Sequence, residues 1–361
     1  MYQSLQYLRG IAALMVVAFH AAAIGARSGG YEPASMFTAG LAGVDLFFVI
    51  SGFVMVASTA GRRTTPLAFL WKRVIRIVPL YWLLTLLVAN VALLRPDLLS
   101  STDYDGGLLL ASLFFVPVQN PAVGETLPML IPGWTLNYEM AFYLVFALAL
   151  LLPPRRQVPA VIAVLVLAVS LRHLIPWSPA GAFYTMPLVL EFGAGMLIAT
   201  AVGLGIPVRA RLALACFVLG WIALLALAGG DLWRSLSSGL PATLIVAGAV
   251  FLERGRRLPD LKPLRWIGDA SYSIYLTHVL TLPVLAVLWE AAGLVPSGAF
   301  IIACLLASVL GGLVTYHLVE RPLLLAMRGW WPEPPAAPLV PRSTAGDPAT
   351  PAPPAPAPAR G

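Results

Sequence analysis

The residues best suited to chemistry in this chain are a histidine, three carboxylates and a group of arginines, all set among apolar neighbours. His20 lies in the stretch LQYLRGIAALMVVAFHAAAIG, residues 5–25, with Arg9 near its start. Eleven positions at about 100° each come to three turns plus about 20°, so the two share one face of a helix. At about 1.5 Å per residue His20 stands roughly 16 Å along the axis from Arg9, close to mid-membrane if the stretch spans a bilayer. An imidazole there can take a proton or carry a group. An ionisable group at that depth is a functional candidate by default. The competing reading is a ring that hydrogen-bonds a neighbouring helix and serves packing alone.

The acids come next. Asp45 stands about five residues inside the run GLAGVDLFFVISGFVM, beside Gly43, Ser51 and Gly52, small residues that let helices approach closely. It needs a cationic or hydrogen-bonding partner, and His20 is the expected one: a carboxylate on one ring nitrogen fixes the tautomer and raises the basicity of the other. The same contact would serve a purely structural tie, and the sequence leaves both open. Glu139 lies about six residues into PGWTLNYEMAFYLVF, with Trp134, Asn137, Tyr138 and Tyr143 around it. Trp and Tyr at a span's edge are ordinary interface anchors, but a glutamate one to two turns inside is not. Glu191 in LVLEFGAGM has a similar depth and is the third acid.

Two further groups complete the set. In LWKRVIRIVPLYW, Lys72, Arg73 and Arg76 fall at i, i+1 and i+4 and can lean to one side of a helix. They read either as anchors snorkelling to headgroups or as a polyphosphate site, since guanidinium forks suit phosphate oxygens. In WIGDASYSIYLTHVL, Ser271, Tyr275 and His278 form a polar stripe that must face protein or a water-filled cavity. His278 lies about 18 Å from the inner end of its run, again near mid-membrane. Asp269 reads as the N-cap of that helix. His173 and His317 fall near span ends and read as ordinary.

The elements that hold these groups follow from composition. Charged residues are 11%, hydrophobic ones 59% and the mean hydropathy is +0.86, against about 25% charged and 45–50% apolar in globular chains. The chain reads as an all-α integral membrane protein with no room for a sizeable soluble domain. Its formal charge of +7 is therefore a matter of topology rather than of a nucleic-acid partner. Cys216 and Cys304 sit in apolar runs, without a disulfide framework or a metal motif. The first run lacks a small-residue cleavage site before a polar region and reads as a retained span.

Ten apolar runs fall near 5–25, 40–60, 78–94, 133–152, 158–174, 184–203, 211–228, 236–252, 268–290 and 298–318. The stretch Leu108–Val118, bracketed by Gly106-Gly107 and Pro117, is too short to cross and reads as re-entrant or interfacial. With a cytoplasmic N-terminus, 19 of the Lys and Arg residues fall inside and only Arg27, Arg95, Arg172 and Arg234 fall outside. Counting Leu108–Val118 as a crossing would destroy that bias, so the expectation is about ten transmembrane helices with both termini cytoplasmic. Residues 1–330 make the membrane domain. Residues 331–361, rich in Pro and Ala, read as a disordered cytoplasmic tail, with a Pro-rich recognition motif as the alternative. The depths then agree: His20 and His278 are central, Asp45 and Glu139 lie in the outer half, and Arg73 and Arg76 face the cytoplasm. A phosphate-bearing donor from inside could meet an acceptor from outside at a buried histidine.

These pieces together resemble the membrane-bound acyltransferase 3 family from Tyr7 to about Pro322. The matching residues are Arg9 with ten residues before His20, GVDLFFVISGF at 43–53, Arg73 and Arg76 as R-x-x-R, WTLNYEMAFY at 134–143, SYSIYLTH at 271–278 and VERP at 319–322. Their order and spacing carry the resemblance, and the opening YLRGIAALMVVAFH is most similar to the exopolysaccharide-production branch in its stand-alone form, without an appended extracytoplasmic esterase-like domain. Asn137 departs from the serine- or glutamate-rich variants often seen there.

The resemblance implies a bacterial cytoplasmic (inner) membrane O-acyltransferase. It would move an acyl group, commonly acetyl from acetyl-CoA, to a carbohydrate hydroxyl of the exopolysaccharide or lipopolysaccharide type across the membrane. His20 would be the catalytic base or acyl carrier. Arg9 would support the donor, Arg73 and Arg76 would contact the CoA phosphates, and Asp45 and Glu139 would orient His20 or the acceptor hydroxyl. Trp134, Tyr138, Glu191, Ser271, Tyr275 and His278 would support the site or the acceptor. Acyl-CoA enters as co-substrate, with no resident cofactor and no metal, because a thioester needs none to activate it. Membrane lipid and polysaccharide-assembly proteins are the further partners. The competing class is a carrier of saccharide or lipid-linked substrate whose buried charges relay protons. Against it stand the missing internal repeat and the unbroken histidine-bearing runs.

Overall fold

The computed structural model describes residues 2–27, 34–62, 64–96, 103–174, 178–228, 234–255 and 258–330. The tail at 331–361 and five of the counted arginines (Arg63, Arg256, Arg257, Arg342 and Arg360) lie outside the described residues. In chain order the helices are α1 (Gln3–Arg27), α2 (Gly43–Thr59), α3 (Pro66–Leu94), α4 (Gly106–Leu113), α5 (Trp134–Ala149), α6 (Pro154–Leu171) and α7 (Pro179–Tyr184). Then follow α8 (Leu190–Gly203), α9 (Ala210–Leu227), α10 (Leu240–Gly255), α11 (Lys262–Asp269), α12 (Ser271–Ala291), α13 (Gly298–Thr315) and α14 (Arg321–Met327). Among the described residues the only β feature is an isolated bridge between Gln119 and Thr126.

Each of the ten apolar runs contains a helix. Eight helical stretches are long and apolar enough to cross a membrane: α1, α3, α6, α9, α12, α2 and α10 with their lead-in turns, and α13 with its continuation to Met327. The other two runs give the shorter α5 and α8. The chain is a multi-pass membrane protein. The stretch at Leu108–Val118 supplies only the eight-residue α4, capped where the Asp105 side chain accepts from the Leu108 N–H at 2.5 Å.

Two boundaries differ from expectation. α3 begins at Pro66, twelve residues before the apolar run, with the Thr65 hydroxyl accepting from the Ala68 N–H at 3.2 Å. Lys72, Arg73 and Arg76 interrupt the hydropathy there but not the helix, because the two arginines turn their heads into the protein. Pro79 sits inside α3 without ending it, as a membrane helix packed on its neighbours allows. Asp269 is not an N-cap. It is the last residue of α11, and Ala270 precedes α12 with no side-chain cap. The Asp269 carboxylate accepts instead from the Gln6 amide of α1.

α1 stands at the centre, packed against α2, α10, α11, α12 and α13, while α6 and α9 are the most lipid-exposed of the long helices. α2 packs closely on α8. A Cβ on Gly52 would lie 2.0 Å from the Phe192 carbonyl oxygen, and one on Gly195 would lie 1.9 Å from that of Val49. The small residues of the second run thus bring two backbones together, which fixes the depth of Asp45 and Glu191 relative to each other.

That contact yields a prediction. Gly195→Val must push α8 off α2, with an overpacking cost of about 1–3 kcal/mol or more, and should sharply lower the melting temperature of detergent-solubilised protein. Gly203→Ala on the same helix has open space around it and should leave melting unchanged. Equal melting of both variants would show that the close approach is not what holds the pair.

Candidate active site

A cavity of about 390 Å³ lies between α1, α2, α3, α5 and α12, within the range of small-molecule sites. Arg9 reaches it from α1, Arg73 and Arg76 from α3, Glu139 from α5, and Ser271 and Tyr275 from α12. Spacing explains the convergence. Residues three or four apart on a helix share a face, so Arg73 and Arg76 leave α3 together, as do Ser271 and Tyr275 on α12. Lys72 points away and is exposed, so only two of the three basic residues in that segment serve the cavity.

The charged groups sit among carboxylates, hydroxyls and aromatic rings. Arg73 donates to the Ser58 hydroxyl at 2.9 Å and lies over the rings of Phe69 and Tyr143, at 5.2 and 5.7 Å. Arg76 pairs with Glu320 at 3.5 Å, and the other oxygen of Glu320 accepts from Ser273 at 2.6 Å. Glu139 accepts from Ser51 at 3.1 Å and from the Tyr143 hydroxyl. Arg9 interacts electrostatically with Arg76, Glu320 and Glu139. An anion entering here does not meet a bare positive field. It meets guanidinium forks already oriented by carboxylates, hydroxyls and aromatic faces.

Neither His20 nor His278 lines this cavity. They face each other, with ring centroids 4.9 Å apart. The His20 Nδ1 bonds the Val16 carbonyl oxygen at 2.9 Å, and the His278 Nδ1 bonds that of Tyr275 at 2.5 Å. Tyr275 joins the two regions: it lines the cavity, and its ring lies 5.8 Å from that of His278. Its hydroxyl is held by Thr135 at 3.1 Å and by the Pro132 carbonyl oxygen at 3.2 Å.

The expected Asp45–His20 contact does not form. Asp45 pairs with Arg234 at 2.8 Å, and Glu191 interacts electrostatically with both. Arg234 precedes α10 and stands 189 positions away along the chain. Counted from sequence as an outer-flank charge, it reaches inward and gives Asp45 a full cation, a stronger partner than an imidazole already engaged by its own helix. Glu139 likewise belongs to the arginine cavity and not to the histidines. The Tyr138 hydroxyl donates to the Phe183 carbonyl oxygen at 2.8 Å, its ring stacks on Phe183 at 4.0 Å, and Trp134 packs edge-on against it at 5.9 Å. These two residues build an aromatic core beside the site.

Sequence reasoning missed Arg234 and Glu320 as site residues. Glu320 carried a signal, as the acid of VERP at the end of an apolar run. The π-helical turn Tyr316–Glu320 delivers it, a local widening that often marks functional positions.

Comparison with known proteins accords with this geometry. A family model described as an acyltransferase domain, acyltransferase-3, matches residues 2–317. The chain belongs to the acyltransferase-3 family. It is an acyltransferase. It is 40% identical over 293 residues to the exopolysaccharide production protein ExoZ of Rhizobium meliloti (strain 1021), covering 80% of this chain and 90% of that one. The putative membrane-bound transacylase BcsY of Komagataeibacter xylinus is 28% identical, over 87% of this chain and 81% of its own. The peptidoglycan O-acetyltransferase OatA of Listeria monocytogenes is 25% identical, over 89% of this chain and 55% of its own. No solved structure matches this acyltransferase.

The Asp45–Arg234–Glu191 cluster makes a prediction of its own. Arg234→Met leaves two carboxylates without their cation, at a cost of about 3 kcal/mol, seen as a fall in melting temperature. Adding Asp45→Asn to that variant should recover much of the loss. An Arg234→Met protein that melts like the parent would show the cluster to be energetically idle.

Proposed function

We propose that this acyltransferase moves an acetyl group from cytoplasmic acetyl-CoA to a hydroxyl of an extracytoplasmic or lipid-linked carbohydrate, with His20 at the point of transfer. One observation carries the reading: a cavity ringed by Arg9, Arg73 and Arg76 is also lined by Tyr275, whose ring lies 5.8 Å from that of His278, itself 4.9 Å from His20. The cavity suits a polyanionic donor. Its Tyr275 end points the thioester towards His20, so the donor's phosphates and its acyl carbon occupy different regions. The carbohydrate class rests on ExoZ and OatA, whose names concern exopolysaccharide production and peptidoglycan O-acetylation.

The proposed chemistry needs little else. A sugar hydroxyl is a poor nucleophile until a base takes its proton, an effect of typically 10²–10⁴ in rate. Charge that develops at the thioester oxygen requires donors fixed in place, and the Tyr275 and Thr135 hydroxyls lie on the cavity wall. On this reading the enzyme has ten spans, both termini in the cytoplasm and its place in the bacterial inner membrane, beside polysaccharide-assembly proteins. Asp45, Arg234 and Glu191 then hold α2, α8 and α10 around the outer half of the path.

Sealed inside-out vesicles carrying the enzyme and given labelled acetyl-CoA should pass label to the polysaccharide of the producing cells. His20→Ala should abolish this while the protein stays folded and inserted; normal labelling would sink the assignment of His20. In the same assay Arg76→Ala should raise the acetyl-CoA concentration needed for half-maximal rate about tenfold or more, the loss of a charge-assisted contact of about 1.5–3 kcal/mol. An unchanged donor dependence would return Arg73 and Arg76 to the role of topology anchors.

A further inference from the structure

The site holds two imidazoles where one base is enough for direct transfer, and their hydrogen bonds reveal how they differ from other buried histidines. A carbonyl oxygen only accepts, so the bonds to Val16 and Tyr275 place a proton on Nδ1 of each ring. Each neutral ring therefore presents its lone pair at Nε2. The Nε2 of His278 is buried and has no hydrogen-bond partner among the described residues. A buried acceptor left empty is costly, and an empty one beside a second lone pair offers a place for a proton in transit.

We propose that the two histidines divide the reaction: His20 Nε2 carries the acyl group and His278 Nε2 takes the proton of the acceptor hydroxyl. This rests on the acyl-transfer reading above. In the first half, the His20 Nε2 lone pair attacks the thioester carbonyl carbon. The C–S bond breaks, and its electron pair leaves on sulfur as a thiolate that takes a proton from cytoplasmic water, leaving a hydroxide that the proton released in the second half neutralises. His20 is then acylated at Nε2 and still protonated at Nδ1, so it has no lone pair left to serve as base. In the second half, the sugar oxygen attacks the acyl carbon and the C–N bond breaks, returning its electron pair to His20 Nε2. The hydroxyl proton passes to His278 Nε2 and later to water.

Three neighbouring groups are engaged elsewhere. Asp45 is held by Arg234, Glu139 by Ser51 and Tyr143, and the Tyr275 hydroxyl by Thr135 and Pro132. Division also accounts for the ring contact at 4.9 Å, which sets the proposed base beside the proposed acyl carrier.

The test compares the wild-type chain, His20→Ala, His278→Gln and His278→Asn in inside-out vesicles. Labelled acetyl-CoA is added outside as the donor, and the polysaccharide fraction of the producing cells, trapped in the lumen, is the acceptor. Asparagine keeps a donor for the Tyr275 carbonyl and guards the fold; melting temperature checks it. The His278 variants should release about one equivalent of CoA per chain, retain label on the protein, and label polysaccharide at least about 100-fold more slowly. His20→Ala should release none. Mass spectrometry of wild-type protein quenched during turnover should find acyl on His20 and none on His278, a readout independent of how the variants fold. Polysaccharide labelling within twofold of wild type in a folded His278 variant overturns the division, as does loss of the CoA burst together with turnover. A wild-type chain that releases no CoA overturns the acyl-transfer reading itself.

Discussion

The constraint on which the structure depends is the cost of charge in a medium that cannot solvate it. Within the spans a lone ionised side chain is costly, so the arginines and carboxylates near the site gather beside groups of opposite charge. The protein sorts them into two groups. Arg9, Arg73 and Arg76 meet Glu139, Asp269 and Glu320 around the cavity. Arg234 meets Asp45 and Glu191 at the junction of α2, α8 and α10. Between the groups stand two histidines, which can be neutral without leaving a charge behind. The proposed roles match this sorting: the charged groups would orient and the uncharged histidines would react.

Packing makes the sorting durable. Gly52 and Gly195 let α2 and α8 approach until backbone meets backbone, which fixes Asp45 and Glu191 at one depth. The π-helical turn Tyr316–Glu320 swings Glu320 back over Arg76. α1 runs through the centre and contributes Arg9 to one region and His20 to the other, so a single helix sets the distance from the arginine cavity to the histidine pair.

Much of this was legible in the sequence because it depends on local periodicity. The shared face of Arg9 and His20, the stripe Ser271–Tyr275–His278 and the pairing of Arg73 with Arg76 all follow from about 3.6 residues per turn. The helix in every apolar run follows from composition. What escaped were partners distant in the chain and boundaries that charge disguises. Nothing near Asp45 in sequence points to Arg234, and a long guanidinium stem can reach inward from a flank that topology counts as outside. α3 begins twelve residues before its apolar run because Arg73 and Arg76 face protein and not lipid, a distinction hydropathy does not make. Asp269 carries the chemistry of a cap but bonds across helices to Gln6. Trp134 and Tyr138 sit at the right depth for substrate and are spent on packing.

The central claim is that the arginine cavity receives the donor from the cytoplasmic side, with the histidines beyond Tyr275. Equilibrium binding of a non-reactive labelled CoA thioether to vesicles of known orientation measures this most directly. The account predicts saturable binding to inside-out vesicles, none to right-side-out vesicles, and loss of binding in Arg73→Gln but not in His20→Ala. Equal binding to both orientations, or full binding by Arg73→Gln, would contradict it.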